Sequence, residues 1–222
     1  MINRSPWLWG VRQTAAGMTG RTSLGVQILQ GKRAPGQSNP SSEYLFSQQV
    51  AGAAWPQFGG FKGFGNQHYF GLGPGLKFAN IWYAAYYVQA EILGMPDLTA
   101  AALAELPVAK GSMSITPIST GPVADVSLGT VTWTMPDVVL DSTQDETDEM
   151  HSIAYNPLRG TFTYAENGGG RSTWDTALTM VLPTGTQAGD PIILYTTAKS
   201  LVFPIGAESV SDSVAQETIA IA

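Results

Sequence analysis

The sequence predicts a mainly β protein with some α structure, in which a seven-stranded β-sandwich follows an extended arm and a short helical region. The 222 residues include 25 Gly and 14 Pro but only 13% charged residues, a composition typical of turn-rich β proteins. Short strand-like segments recur from residue 109 onward. The 44% hydrophobic content is enough for a substantial core. We therefore expect one folded chain whose stability comes from packing.

The clearest strand signal lies around Trp133. Val131, Trp133 and Met135 alternate with threonines, which is the period-two pattern of a strand with one buried and one exposed face. A Trp buries about 150–250 Å² and dominates the energetics of a small core. The residues expected in the core of the sandwich are Val131, Trp133, Tyr155 and Tyr195.

The chain divides by composition into an arm (1–40), a helical and Gly/aromatic-rich region (41–108) and the sandwich (109–222). The arm is rich in Gly, Ser, Thr and Gln and shows one short strand pattern at Ser23–Leu29. The rest of it lacks periodicity, which is uncommon inside a compact domain. We expect the arm to be extended and ordered against another surface.

Helices are predicted in the middle region. The segment 39–55 starts with capping residues and ends before Pro56, 76–93 is apolar on nearly every face, and 97–106 is short. Between the first two, 58–75 places glycines among aromatic residues and predicts an adaptable loop. Because one subunit can hardly bury every face of 76–93, we expect a neighbouring copy to cover part of it.

The sandwich is predicted to contain seven short strands. They are expected at 113–118, 126–135, 150–155, 161–166, 172–182, 191–199 and near 210–221. Asn167-Gly-Gly-Gly170 is a hairpin signal between the fourth and fifth of these strands.

Two segments carry a resemblance to Ig-like domains. Ser127-Leu-Gly-Thr-Val-Thr-Trp-Thr-Met-Pro136 resembles the second strand of a fibronectin type III domain. Leu182-Pro-Thr-Gly-Thr-Gln-Ala-Gly-Asp-Pro-Ile-Ile-Leu-Tyr195 is similar to the turn and tyrosine-bearing strand late in that fold. The resemblance covers residues 110–222 and implies an Ig-like, fibronectin type III-like sandwich.

Over its whole length the chain resembles an uncharacterised family known mostly from Bacteroidota. The similarity consists of short motifs: Gly-Met-Thr-Gly-Arg near the start, Pro-Ser-x-x-Tyr-Leu-x-x-Gln-Gln, a Trp-bearing strand, Ile-Ala-Tyr-Asn-Pro, and Ser-Asp-Ser near the end. The resemblance implies an N-terminal helical or extended region and a C-terminal Ig-like domain. It implies no catalytic residues, and the Gly/aromatic run 58–75 departs from it.

Charge and cysteine content exclude several classes of protein. With no Cys, neither disulfides nor thiol catalysis is available. Residues 1–90 hold seven basic groups and one acidic group, a net charge of +6, whereas residues 91–222 carry −12. The basic residues are dispersed, so we expect no sequence-specific nucleic-acid binding. The two halves of neighbouring copies would attract each other.

Neither a secretory signal nor a membrane span is predicted. The amino terminus lacks an apolar h-region, and the longest apolar run is interrupted by polar residues. We expect synthesis in the cytosol without a signal peptide and a final location in a virion or extracellular assembly.

Candidate metal sites are weak. The acidic segment 137–149 supplies oxygen ligands that Ca²⁺ prefers but lacks EF-hand spacing, so a solvated loop is the main interpretation and a cation site the second. The residues that such a site would use are Asp141, Asp145, Asp148 and Glu149. His68 and His151 are far apart in sequence and form no zinc motif. No cofactor and no catalytic activity are predicted.

Aromatic side chains and dispersed basic residues suggest an interface between subunits, since Trp and Tyr are enriched there. The candidate assembly residues are Trp7, Trp9, Arg12, Arg21, Trp55, Phe58, Phe61, Phe64, Tyr69, Phe70 and Trp82. They predict a non-enzymatic structural subunit that binds copies of itself and other structural proteins, as in a capsid, decoration, tail, filament or tube. The second interpretation is a glycan- or cell-surface-binding Ig-like module.

Overall fold

The fold was taken from a computed structural model. The structure describes residues 13–15, 18–23, 26–31, 42–70, 77–93, 100–136, 142–167 and 170–222. The chain forms two compact units, Met1–Leu45 and Phe46–Ala222. The helical region after residue 45 and the sandwich therefore belong to the same unit.

The N-terminal unit contains a three-stranded antiparallel sheet in the order β1-β2-β3. The strands are β1 (Gln13–Ala15), β2 (Met18–Ser23) and β3 (Val26–Gly31). The sequence predicted only one strand here. The missed signal is spacing: two residues, the second a Gly, separate each strand from the next, as in two-residue hairpins.

Helix α1 spans Ser42–His68. The predicted helix end before Pro56 and the predicted loop at 58–68 were therefore wrong. The buried residues of α1, including Val50, Phe58 and Phe61, recur every three or four positions and form one face. Pro56 removes the helical hydrogen bond to the Gly52 carbonyl, but both residues are exposed, so water can replace that bond. Burial of the aromatic face outweighs the poor helix propensity of the glycines.

Two glycines of α1 allow close packing. A β-carbon at Gly60 would collide with the ring of Phe162, and one at Gly65 would collide with the ring of Phe78. By contrast, Gly63 has nothing within 4 Å of that position. The glycines that looked like loop residues therefore include sites of helix–helix and helix–sheet contact.

The variant Gly65→Ala is expected to lower the free energy of unfolding by about 1–3 kcal/mol, because the buried ring of Phe78 must move. The matched variant Gly63→Ala is expected to raise it by about 0.5–1 kcal/mol, because Ala is the better helix former and space is open. Urea denaturation of both variants measures the difference. Equal effects of the two changes would contradict the packing described here.

The second helix, α2 (Phe78–Leu93), was predicted at nearly the same position. Phe78, Trp82, Tyr86 and Ala90 are buried at intervals of four residues. Helix α3 (Ala100–Ala104) ends two residues before the predicted segment 97–106 does, and residues 97–99 of that segment lie outside the described residues. All three helices contribute to one apolar core.

Seven strands form two antiparallel sheets, so the predicted β-sandwich preceded by a helical region is confirmed. They are β4 (Thr120–Asp125), β5 (Thr130–Thr134), β6 (Glu149–Asn156), β7 (Thr161–Asn167), β8 (Leu178–Val181), β9 (Pro191–Lys199) and β10 (Val214–Ile219). The sheet orders are β10-β9-β6-β7 and β4-β5-β8. Unlike a constant-type Ig sandwich, the fourth strand lies beside the third. Ig-like identity stays a prediction.

Two local predictions in the sandwich were wrong. The first strand is β4, not 113–118, where Met113 makes only an isolated bridge to Ser211. The predicted hairpin at 167–170 is a crossover, since β7 pairs with β6 whereas β8 pairs with β5. A short 3₁₀ helix, Arg171–Thr173, occupies the connection and is fixed by the buried Arg171.

The central strands of the four-stranded sheet, β6 and β9, are buried on both faces. Ile153 and Tyr155 of β6 pack with the helices, whereas Met150 and Ala154 pack with β4-β5-β8. The predicted core residues are therefore all buried but divide between two cores. Val131 and Trp133 lie between the sheets, and Tyr155 and Tyr195 lie beneath the helices.

Candidate functional site

A cleft of about 350 Å³ lies between the C-terminal part of α1 and strands β6 and β7. Among its lining residues are Gln67, His68, His151, Tyr164 and Glu166. A cleft that contains buried titratable groups is the usual starting point for a functional site. We call it the histidine cleft.

Different elements bring the two histidines together. His68 is the last residue of α1, and His151 lies on β6, where it pairs across the sheet with Glu166 of β7. The two histidines are 1% and 2% exposed. The ring of Phe64 stacks on His68 at a centroid distance of 4.1 Å and holds its orientation.

The histidines form the middle of a chain of polar contacts. Nδ1 of His68 lies 2.8 Å from the carbonyl oxygen of Phe64. Its Nε2 lies 3.1 Å from Nδ1 of His151. At the other end, Nε2 of His151 lies 3.3 Å from a carboxylate oxygen of Glu149. Both ends of the chain are thus oxygen acceptors.

Burial weakens the basicity of both rings. It lowers the pKa of His68 to about 4, although the hydrogen bond to Phe64 acts in the opposite direction. Burial also lowers the pKa of His151, while Glu149 opposes the change and the charge of Lys199 adds to it. A neutral imidazole carries one proton, so two neutral rings supply protons for only two of the three contacts.

Sequence reasoning treated these histidines as unrelated. They are 83 residues apart and belong to no zinc motif, so their proximity depends on where α1 ends and how it packs on β6. The error about the end of α1 placed His68 in a loop. No local sequence signal would have paired them.

The calcium candidates do not converge. Asp145 accepts hydrogen bonds from the backbone and hydroxyl of Thr147, and Asp148 forms an ion pair with Arg171. Glu149 faces His151, and Asp141 lies outside the described residues. Within the described ranges no three His, Asp or Glu side chains are placed to hold a metal ion. Calcium binding at this segment stays a prediction.

Several predicted assembly residues are packed inside their own chain. The residues Phe58, Phe61, Phe64 and Trp82 belong to the core beneath the helices, and Tyr69 and Phe70 are half-buried against it. The expected exposed aromatic loop is absent at 58–68 because α1 continues through it. The first four of these aromatic side chains are therefore unavailable to a second subunit.

The remaining assembly candidates differ in position. Trp55 is exposed on α1 and stacks on Tyr83 at a centroid distance of 5.0 Å. Arg21 lies on β2. Trp7, Trp9 and Arg12 lie outside the described residues.

No protein-family model, curated protein or solved structure matches the chain. The resemblances to a Bacteroidota family and to fibronectin type III domains therefore stay predictions. Among the described helices, none is long and apolar enough to cross a bilayer.

Proposed function

We propose that the protein is a non-enzymatic structural subunit that self-assembles head-to-tail. In this proposal the apolar loop of one copy, residues 201–205, binds a groove on α2 of the next copy. Such a contact repeats from subunit to subunit and produces a ring, tube or filament, the architectures of virion and filament components.

The apolar loop is the observation that carries the proposal. Leu201 and Val202 are more than half exposed, and Ile205 is 90% exposed. Consecutive exposed apolar residues are costly for a monomer and typically mark an interaction surface. Their exposure in a single copy is explained if another copy covers them.

The shape of the loop is fixed by local hydrogen bonds. The hydroxyl oxygen of Ser200 accepts hydrogen bonds from the amides of Val202 and Phe203, at 3.1 and 3.2 Å. On its far side, the amide of Gly206 donates to the Ser209 hydroxyl at 3.0 Å. A preorganised loop loses little conformational entropy on binding.

The outer face of α2 offers a complementary surface. A shallow depression of about 520 Å³, which we call the α2 groove, is lined by Ile81, Ala84, Ala85 and Val88 with polar residues at its margin. The small alanines leave space that a projecting apolar side chain can fill. Ile92, one turn beyond Val88, is also exposed and extends the apolar surface.

Because the loop and the groove are different surfaces, one copy can bind a second through its loop and a third through its groove, as in a head-to-tail array. The charge distribution also favours contacts between copies. Unit Met1–Leu45 carries five basic groups and one acidic group, whereas the rest of the chain is strongly acidic. The basic N-terminal unit of one copy would therefore attract the acidic part of a neighbouring copy. The N-terminal arm can in this way add a second contact.

Size-exclusion chromatography with light scattering tests the proposal. The full-length protein is expected to form oligomers whose size increases with concentration. Ile205→Asp in the loop and Val88→Asp in the groove should each yield monomers, because a charge would be buried without a partner. Leu158→Asp, also at an exposed apolar position, is the matched control and should leave assembly unchanged.

Mixing the two monomeric variants identifies the kind of contact. Ile205→Asp keeps an intact groove, and Val88→Asp keeps an intact loop, so the mixture should form dimers but no larger species. A wild-type protein that stays monomeric at high concentration, or variants that assemble normally, would contradict the proposal.

The glycan-binding interpretation has one observation in its favour, the exposed Trp55 stacked on Tyr83. Aromatic rings of this kind can stack on sugars, although Tyr83 already covers one face of the indole. A glycan array separates the two functions. Glycan retention that is lost in Trp55→Ala, by a protein that forms no oligomers, would favour the binding module.

A further inference from the structure

In the histidine cleft, the Phe64 carbonyl and the Glu149 carboxylate compete with the contact between the two rings for the two imidazole protons. Nδ1 of His68 faces a backbone carbonyl and must carry a proton to make the 2.8 Å contact. We assign the His151 proton to Nε2, 3.3 Å from the carboxylate of Glu149, because a carboxylate is the strongest acceptor in the chain of contacts. Nε2 of His68 and Nδ1 of His151 then present two lone pairs to each other across 3.1 Å.

Two facing lone pairs at that distance repel unless a proton or a metal cation binds between them. The cleft opens onto this point and also contains Glu166, whose carboxylate oxygen lies 4.0 Å from Nδ1 of His151. We propose that a divalent transition-metal ion of the Zn²⁺ class binds Nε2 of His68, Nδ1 of His151 and the Glu166 carboxylate, with a water molecule from the cleft as fourth ligand.

The nitrogen positions suit such an ion. Two nitrogen ligands about 2.1 Å from one metal lie about 3.0–3.4 Å apart at right or tetrahedral angles, and the observed separation is 3.1 Å. The outer nitrogen of each ring contacts a carbonyl or a carboxylate, the arrangement that orients histidine ligands in metal sites. The two rings are therefore held with their lone pairs toward the metal position.

The third ligand has to move. Glu166 is 76% exposed on its side chain, so its carboxylate can rotate the remaining distance toward the histidines without disturbing the core. Among the described residues no three His, Asp or Glu side chains are placed to hold a metal ion, so the proposed site requires this movement of Glu166. Metal binding would then link α1, β6 and β7.

The surrounding charges are compatible with a divalent cation. Glu149 and Glu166 together supply two negative charges, and the carbonyl end of the α1 dipole also favours a cation near His68. Lys199 is the opposing charge near the pair. The two carboxylates thus offset the charge of the ion, and Lys199 leaves the metal-bound site with a net charge of about +1.

Metal titration tests the site independently of assembly. The full-length protein, prepared without a histidine tag and stripped with a chelator, is expected to show a rise in Tm of about 5 °C or more with saturating Zn²⁺. Co²⁺ should produce the visible absorption of a tetrahedral nitrogen and oxygen site. These readouts do not depend on oligomerisation and would stand if the assembly proposal failed.

Variants identify the ligands. Glu166→Gln, a change at an exposed position, should weaken Co²⁺ affinity by about tenfold or more, and His68→Ala should abolish binding. Glu217→Gln, an exposed change on β10, should have no effect. The proposal is overturned if neither metal shifts Tm, or if Glu166→Gln and His68→Ala both bind Co²⁺ like the wild type. It is also overturned if only a proton binds between the rings, seen as imidazole NMR shifts that respond to pH and not to metal.

Discussion

Arg171→Met is expected to lower the free energy of unfolding by about 3–5 kcal/mol, because it removes one partner of a buried ion pair. Nε of Arg171 donates to a carboxylate oxygen of Asp148 at 2.8 Å, and the side chains are 4% and 0% exposed. The guanidinium also lies 4.5 Å from the ring centroid of Trp174. Without Arg171, the Asp148 carboxylate would remain buried with only the amide of Asp145 as a donor among the described residues.

Urea denaturation of a double variant separates the cost of the lone charge from the value of the pair. Arg171→Met with Asp148→Leu should recover most of the loss, since replacing both partners by apolar residues is often nearly neutral. Arg159→Met provides a second control. Its partner Asp190 keeps donors from Asn156 and Gln187, so the loss should be smaller. A double variant less stable than Arg171→Met would contradict this account.

Phe61→Ala is expected to cost about 3–5 kcal/mol, the usual range for removal of a buried aromatic side chain. Phe61 is fully buried where α1 crosses the four-stranded sheet. Its ring centroid lies 5.2 Å from that of Tyr155 and 5.5 Å from that of Tyr195, both edge-on. The cavity left by alanine would separate the helical layer from the strands beneath it.

Thermal and urea denaturation measure the effect of this substitution. Phe61→Leu should cost less than Phe61→Ala because it keeps most of the apolar volume. Leu45→Ala, at an exposed position of α1, should change stability by about 0.5 kcal/mol or less. If Phe61→Ala were no worse than Leu45→Ala, the helices could not be packed on the sheet as described.

Short strand-like segments separated by turn signals identified most strands of the sandwich. The predicted strand 191–199 coincides with β9, and Trp133 lies on β5 as expected. These segments are composed largely of β-branched and aromatic residues, which favour a strand over other secondary structure. The layer above the sheet was not foreseen, because β9 is buried on both faces and its sequence does not reveal what covers the second face.

Errors arose where tertiary contacts outweigh local preference. Gly65 reads as a loop residue, yet it is required in a helix because Phe78 packs against its backbone. The glycines at 168–170 suggest a hairpin, but the pairing of β8 with β5 places β7 and β8 in different sheets. The histidine pair depends on both the end of α1 and the register of β6. Neither can be obtained from residues close in sequence.

The sheet β10-β9-β6-β7 contributes side chains to both hydrophobic cores, one on each face. This limits which fragments of the chain can fold alone. A fragment that began at residue 109 would keep all seven strands but would expose Tyr155 and Tyr195 to water. The Tyr195 hydroxyl would also lose its acceptor, the Leu103 carbonyl. The sandwich is therefore not an autonomous module that can be excised, and heat should melt it together with the helices in one cooperative transition.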